Sequence, residues 1–161
     1  MSILAPAGSS EGGLRALSFT MGVFLIFMGI DKVAWLMDDG ILTRLLYQWL
    51  GTAPPVSRWY LEFVAIPGAP MFARLVLLGE LAAGTALICG FRVRLAAAVS
   101  LLMVFNFHFA SDVLFHYSYL TNPYGLPVMG GLLALAIGSG RLPFSVSELW
   151  LKPWWSRLSV Q

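Results

Sequence analysis

Glu80 stands near the middle of an apolar stretch, Pro70 to Gly90 (PMFARLVLLGELAAGTALICG), which opens the longer segment Pro70–Ala98. A carboxylate inside a membrane-length apolar helix is costly, and is normally turned to a bundle interior or a water-filled cavity with a partner. The other polar residues that interrupt apolar runs are Lys32, Arg74, Asn106, His108 and Asp112. His108 and Asp112 are four apart, which makes them neighbours on one helix face. Three uses fit this set. It can be a structural cluster that holds helices in register, with Glu80 paired to Lys32 or Arg74 and Asp112 to His108. It can line a pocket for a ligand such as a quinone, with Glu80 and His108 as the catalytic proton carriers. Lys32 or Arg74 would then keep Glu80 charged or orient the quinone oxygen. Or it can mark an ion or proton path.

Several chemistries are not encoded. No Glu-x-x-His or His-x-x-x-His pair offers metal-ligand spacing, so no metal site is expected. The two histidines, His108 and His116, are too close in sequence for bis-histidine haem ligation. There is no P-loop and no Gly-x-Gly-x-x-Gly, and no cofactor attachment is encoded, so electron transfer needs a partner's cofactor or a diffusible quinone. Cys89 is the lone cysteine, which rules out an internal disulfide, and reads as a small apolar residue near a helix end.

The elements that must carry these residues follow from composition. The 161 residues are 58% hydrophobic and 11% charged, with mean hydropathy +0.79. A soluble domain carries about 25% charged residues, so the chain is an integral membrane protein of the all-α class. The net charge of +2 is scattered, which leaves nucleic acid out as a partner. The expected layout is a short mobile segment over 1–13, a four-helix transmembrane domain over 14–145 and an interfacial tail over 146–161. The spans fall at about 14–36, 70–90, 93–114 and 122–140, the last apolar run being only Leu126 to Gly138.

In the first span Gly22, Leu25, Gly29 and Lys32 share one face, a close-packing face that turns Lys32 inward. In the second, Ala73, Glu80, Ala83, Gly84 and Leu87 share another. The 37–69 connection holds an amphipathic repeat, Ile41, Leu42, Leu45, Leu46 and Trp49, with Asp39 as its N-cap. It reads as an interfacial helix over the bundle, or as a lid. The tail, with Arg141, Trp150, Lys152, Trp154, Trp155 and Arg157, suits the membrane interface. Arg15, Arg92, Arg94, Arg141, Lys152 and Arg157 fall on one side and only Arg44 and Arg58 on the other. The positive-inside rule therefore places both termini in the cytoplasm, with the 37–69 and 115–125 connections outside. In this arrangement Lys32, Arg74, Asn106, His108 and Asp112 all lie in the outer half of the membrane, with Glu80 somewhat deeper.

These residues resemble the DoxX/DoxD-like membrane proteins. The likeness lies in Arg15…Gly22…Phe24-Leu25…Gly29…Lys32. It continues in Leu78-Gly79-Glu80-Leu81…Gly84…Leu87-Ile88-Cys89-Gly90-Phe91…Arg94-Leu95-Ala96-Ala97, then in Asn122-Pro123-Tyr124-Gly125 and Gly140-Arg141. It covers most of residues 14–145. The resemblance implies a four-helix inner-membrane protein beside quinone-linked sulfur or oxidative-stress chemistry, with Lys32, Glu80 and Arg94 as the positions to watch. The expected function is a membrane subunit of a redox system, working with quinone or an oxidoreductase partner. A non-catalytic anchor for an extracytoplasmic partner is the alternative, and a small-molecule or ion carrier, built as a homo-oligomer, is the third.

Overall fold

The structure, a computed structural model, describes residues 7–38, 40–114, 116–138, 142–143 and 146. Asp39, Gly140 and Arg141 lie outside the described residues, as does the tail with Trp150, Lys152, Trp154, Trp155 and Arg157. The described elements are helical throughout: α1 Ala7–Asp31, α2 Gly40–Leu50, α3 Pro55–Tyr60, α4 Ala69–Cys89, α5 Val93–Ala110, α6 Ser118–Thr121 and α7 Leu126–Gly138. A 3-10 turn, Val33–Leu36, follows α1, and a π turn, Leu61–Ala65, follows α3.

Three helices are long and apolar enough to cross a membrane: Glu11–Asp31 of α1, Ala69–Cys89 and Val93–Ala110. Large apolar side chains point outward from them, with Phe27 at 68% and Leu102 at 69% exposure, as hydrocarbon contact favours. α7 has 13 residues. At 1.5 Å per residue it reaches about 20 Å, short of a bilayer core of about 30 Å.

The sequence boundaries shift where local chemistry stops a helix. The N-terminal segment expected to be mobile is already helical from Ala7. α1 ends at Asp31 instead of running to residue 36, because the chain tightens there: Lys32 N–H bonds to the Gly29 carbonyl at 3.0 Å. α5 ends at Ala110 instead of 114, and Asp112 beyond it takes a left-handed φ of 59°. α7 covers 126–138, narrower than the 122–140 expected. The α4–α5 turn is a Schellman close: Gly90 has φ 70°, its N–H bonds to the Leu87 carbonyl, and Phe91 N–H bonds to the Ala86 carbonyl at 2.8 Å.

α1 packs on α4, α4 on α5, α5 on α7 and α7 back on α1. Each pair is antiparallel, as shown by Arg15 against Leu87 and Ile88, and by Leu14 against Gly138. α1 and α4 meet at their glycines. A Cβ on Gly22 would stand 2.7 Å from the Gly84 carbonyl oxygen, and one on Gly84 would stand 2.9 Å from that of Gly22. One apolar cluster fills this ring around Leu25, Leu87, Ala97, Leu132 and Leu135. A second lies under the 37–69 connection, where Trp35, Leu42, Leu46 and Leu61 cover Ala69, Ala73 and Ala110. α2 buries Leu42 and Leu46 and exposes Arg44 and Gln48. Its first N–H, of Gly40, bonds to Asp38 Oδ1 at 2.9 Å.

Candidate functional site

Between the two apolar clusters lies a buried ion pair. Lys32 Nζ stands 3.0 and 2.9 Å from the two Glu80 oxygens, and both side chains are nearly enclosed. Its remaining proton goes to the Met28 carbonyl at 2.9 Å. An ammonium has three donors, so Lys32 is fully used. The rings of Trp35 and Phe107 also flank Nζ at 5.8 and 6.0 Å, within cation–π range. Helical spacing brings this about. Gly22, Leu25, Gly29 and Lys32 all face α4, and the two glycines let the backbones close until Lys32 meets Glu80.

The pair opens onto a cavity of about 210 Å³, lined among others by Phe24, Met28, His108, Ser111, Asn122 and Tyr124. The short α7 accounts for this space. Beyond its start at Leu126 the short helix α6 brings Tyr119 against His108 of α5, and the loop residues Asn122 and Tyr124 close the side, Tyr124 against Phe24 of α1.

His108 is buried. Its Nδ1 lies 2.8 Å from the Val104 carbonyl. A carbonyl only accepts, so Nδ1 carries the proton, and Nε2 of the neutral ring is left as an acceptor. Tyr119 packs edge-on against this ring, at 5.5 Å between centroids. Ser111 donates to the Phe107 carbonyl. Asn122 accepts Tyr124 N–H through Oδ1, which leaves its amide N–H groups to donate. With Lys32 saturated, the inner wall of the cavity is an accepting surface made of Glu80, His108 Nε2 and the Ser111 oxygen.

The other sequence candidates separate from this site. Arg74 is exposed and donates to the Pro70 carbonyl at 2.7 Å on its own helix, so it does not pair with Glu80. Asp112 does not pair with His108. The helix has ended by then, and the left-handed turn carries the carboxylate to His116 Nε2, at 2.9 Å. Asn106 sits on another face of α5 and donates to Tyr60 Oη at 2.6 Å. Arg94 is exposed at the opposite end of the ring and donates to the Ile137 carbonyl at 3.2 Å. Sequence reasoning passed over Trp49, Phe107, Asn122 and Tyr124 as cavity walls. Aromatic residues carry no spacing signal that separates a wall from a core. Among the described residues no three His, Cys, Asp or Glu side chains are grouped to hold a metal.

Fold and site together define a helical membrane protein with an interhelical ion pair beside a small cavity walled mainly by apolar side chains. No protein-family model matches the chain, and no curated protein or solved structure matches it either.

Proposed function

We propose that the chain is a membrane subunit of a redox system that binds the head group of a quinone in the Lys32–Glu80–His108 cavity. The observation that carries this reading is His108: a buried imidazole whose Nδ1 is held by the Val104 carbonyl, lining the same cavity as a carboxylate paired with Lys32. Nε2 accepts a hydrogen bond from one hydroxyl of the quinol and takes or returns its proton as the quinol is oxidised or the quinone reduced, and the proton of the second hydroxyl is exchanged with Glu80 on the same cavity wall. The two electrons pass to or from an oxidoreductase partner that carries its own redox group. Lys32 serves Glu80 and does not reach the quinone oxygen. The resemblance of the Arg15–Lys32 and Leu78–Ala97 patterns to DoxX/DoxD-like proteins points to the same chemistry. In this reading α7 completes a four-helix transmembrane bundle in the cell (inner) membrane. Arg15, Arg92 and Arg94 gather at the end where the 90–94 turn lies, and the positive-inside rule puts that end, with both termini, in the cytoplasm.

The test is purification in mild detergent, followed by extraction and mass spectrometry of bound small molecules. Glu80→Gln is a poor variant here, because it strands the buried Lys32 charge. His108→Leu removes Nε2 and leaves the ion pair in place. The expected result is a stoichiometric quinone in the parent protein and its loss in His108→Leu at unchanged protein yield. A quinone-free parent, or one that keeps its quinone without His108, refutes the reading.

A second reading is an anchoring or assembly protein. Its support is the exposed aromatic face of the connection, where the tilted rings of Trp59 and Phe63 lie 6.2 Å apart, each following a charged residue, Arg58 and Glu62. Co-purification of one extracytoplasmic polypeptide that is released by Trp59→Ala selects it.

A further inference from the structure

Trp49 and Phe107 border a second space as well, an apolar cleft of about 390 Å³ between α2, α4 and α5. The helical period explains the double role of Phe107. Met103, Asn106 and Ala110 face the cleft, Val104, His108 and Ser111 face the polar cavity, and Phe107 falls on the seam between the two faces. α4 divides in the same way, with Val76 and Gly79 toward the cleft and Glu80 toward the cavity. The partition itself is thin: the Trp49 and Phe107 rings meet edge-on, 6.1 Å apart.

The cleft opens sideways. Leu75, Val99 and Leu102, which line it, are 55%, 41% and 69% exposed on the outer faces of α4 and α5. Those are two of the helices fit to cross a membrane, so the mouth faces hydrocarbon. Gly79 keeps its floor low, since a Cβ there would press to 3.0 Å from the Met103 sulfur. The polar residues at its wall, Asn106 and Tyr60, are hydrogen-bonded to each other. The polar cavity alone, at about 210 Å³, is smaller than the roughly 300–1,000 Å³ of most small-molecule sites, and with the cleft added it falls within that range.

We infer that the α4–α5 cleft holds the hydrocarbon tail of the same membrane amphiphile whose head lies in the Lys32–Glu80–His108 cavity, the ligand entering sideways from the bilayer past Trp49 and Phe107. This rests on the head-group reading above. Both spaces are walled mainly by apolar side chains, but one carries the Lys32–Glu80 pair, His108, Ser111 and Asn122 and the other only Asn106 and Tyr60 besides the shared Trp49, an arrangement that suits a molecule with a small polar head and a long chain. Entry from the side also spares the head a passage through the packed connection over the bundle.

The experiment uses the full chain in lipid nanodiscs and a decyl-tailed benzoquinone with a diazirine at the tail end. Label is mapped by peptide mass spectrometry with and without excess unlabelled decylubiquinone, which removes the background from lipid-facing residues. The expected result is competed label within 75–79 and 99–103, reduced about tenfold, equivalent to 1.4 kcal/mol of affinity, by Leu102→Trp. Competed label elsewhere overturns the cleft and leaves the head-group site standing. No competed label on any peptide overturns both.

Discussion

Lys32 and Glu80, 48 residues apart, share two hydrogen bonds of 3.0 and 2.9 Å at the α1–α4 interface. Among the described residues neither has another ion-pair partner, so the fate of each depends on the other. Breaking a buried pair from one side costs about 3–5 kcal/mol, whereas replacing both partners by apolar residues is often neutral. Lys32→Met and Glu80→Leu are therefore each expected to lower the melting temperature sharply in detergent, with the double variant close to the parent. Arg74→Ala, on an exposed face, should stay within about 0.5 kcal/mol. Single variants as stable as the parent would show that water reaches the pair.

The glycine contact between α1 and α4 yields a graded series. Gly22→Ala and Gly84→Ala each push a methyl group against a backbone carbonyl, and overpacking of this kind costs about 1–3 kcal/mol. Gly130 has nothing within 4 Å of an added Cβ, so Gly130→Ala should be neutral or slightly stabilising. Thermal scans of the three purified variants test the order, and equal melting points would mean the helices can separate freely.

Arg15 and Ser18 close the end of α4. Arg15 donates to the Leu87 and Ile88 carbonyls at 3.2 and 2.6 Å, and Ser18 Oγ donates to Leu87 at 2.8 Å. Both carbonyls lie in the last turn, where intrahelical donors run out, and that of Leu87 otherwise takes only the 3.3 Å bond from Gly90 N–H. Ser18→Ala should cost about 1 kcal/mol, and Arg15→Leu more, because its bonds are charge-assisted. Amide exchange at residues 87–91 should quicken in Arg15→Leu. Unchanged exchange would show that the Schellman turn holds this end without α1.

Orientation is open to a thiol assay. In a Cys89→Ala background, His116→Cys should react with an impermeant maleimide on intact cells. Phe91→Cys, also on an exposed side chain, should react only after permeabilisation. The opposite pattern inverts the topology proposed from Arg15, Arg92 and Arg94.

The helix faces were legible because their cause is periodic. Gly22, Leu25, Gly29 and Lys32, and on α4 Ala73, Glu80, Ala83, Gly84 and Leu87, are buried as sets. What periodicity does not carry was not legible. The Asp112–His108 pairing assumed that α5 continues, yet the helix stops at Ala110. Tyr60 meets Asn106 across 46 residues, and Trp49 closes a cavity from the long connection, so both depend on tertiary docking that no local pattern announces. The short α7 was visible as a short apolar run, Leu126 to Gly138. Its consequence, a chamber roofed by Asn122 and Tyr124, needs the neighbouring helices in place.

The ion pair also constrains how the chain is made. Lys32 leaves the ribosome first, at the very end of α1, where a long flexible side chain can reach back to water or headgroups while it waits. Glu80 follows 48 residues later, a matter of seconds at about 5–20 residues per second. It lies mid-helix with no such escape. When the carboxylate enters the bilayer, its counter-charge is already there. Biogenesis thus admits first the charge that tolerates delay, and the one that does not arrives last. A chain permuted to translate α4 before α1 would have to insert Glu80 alone.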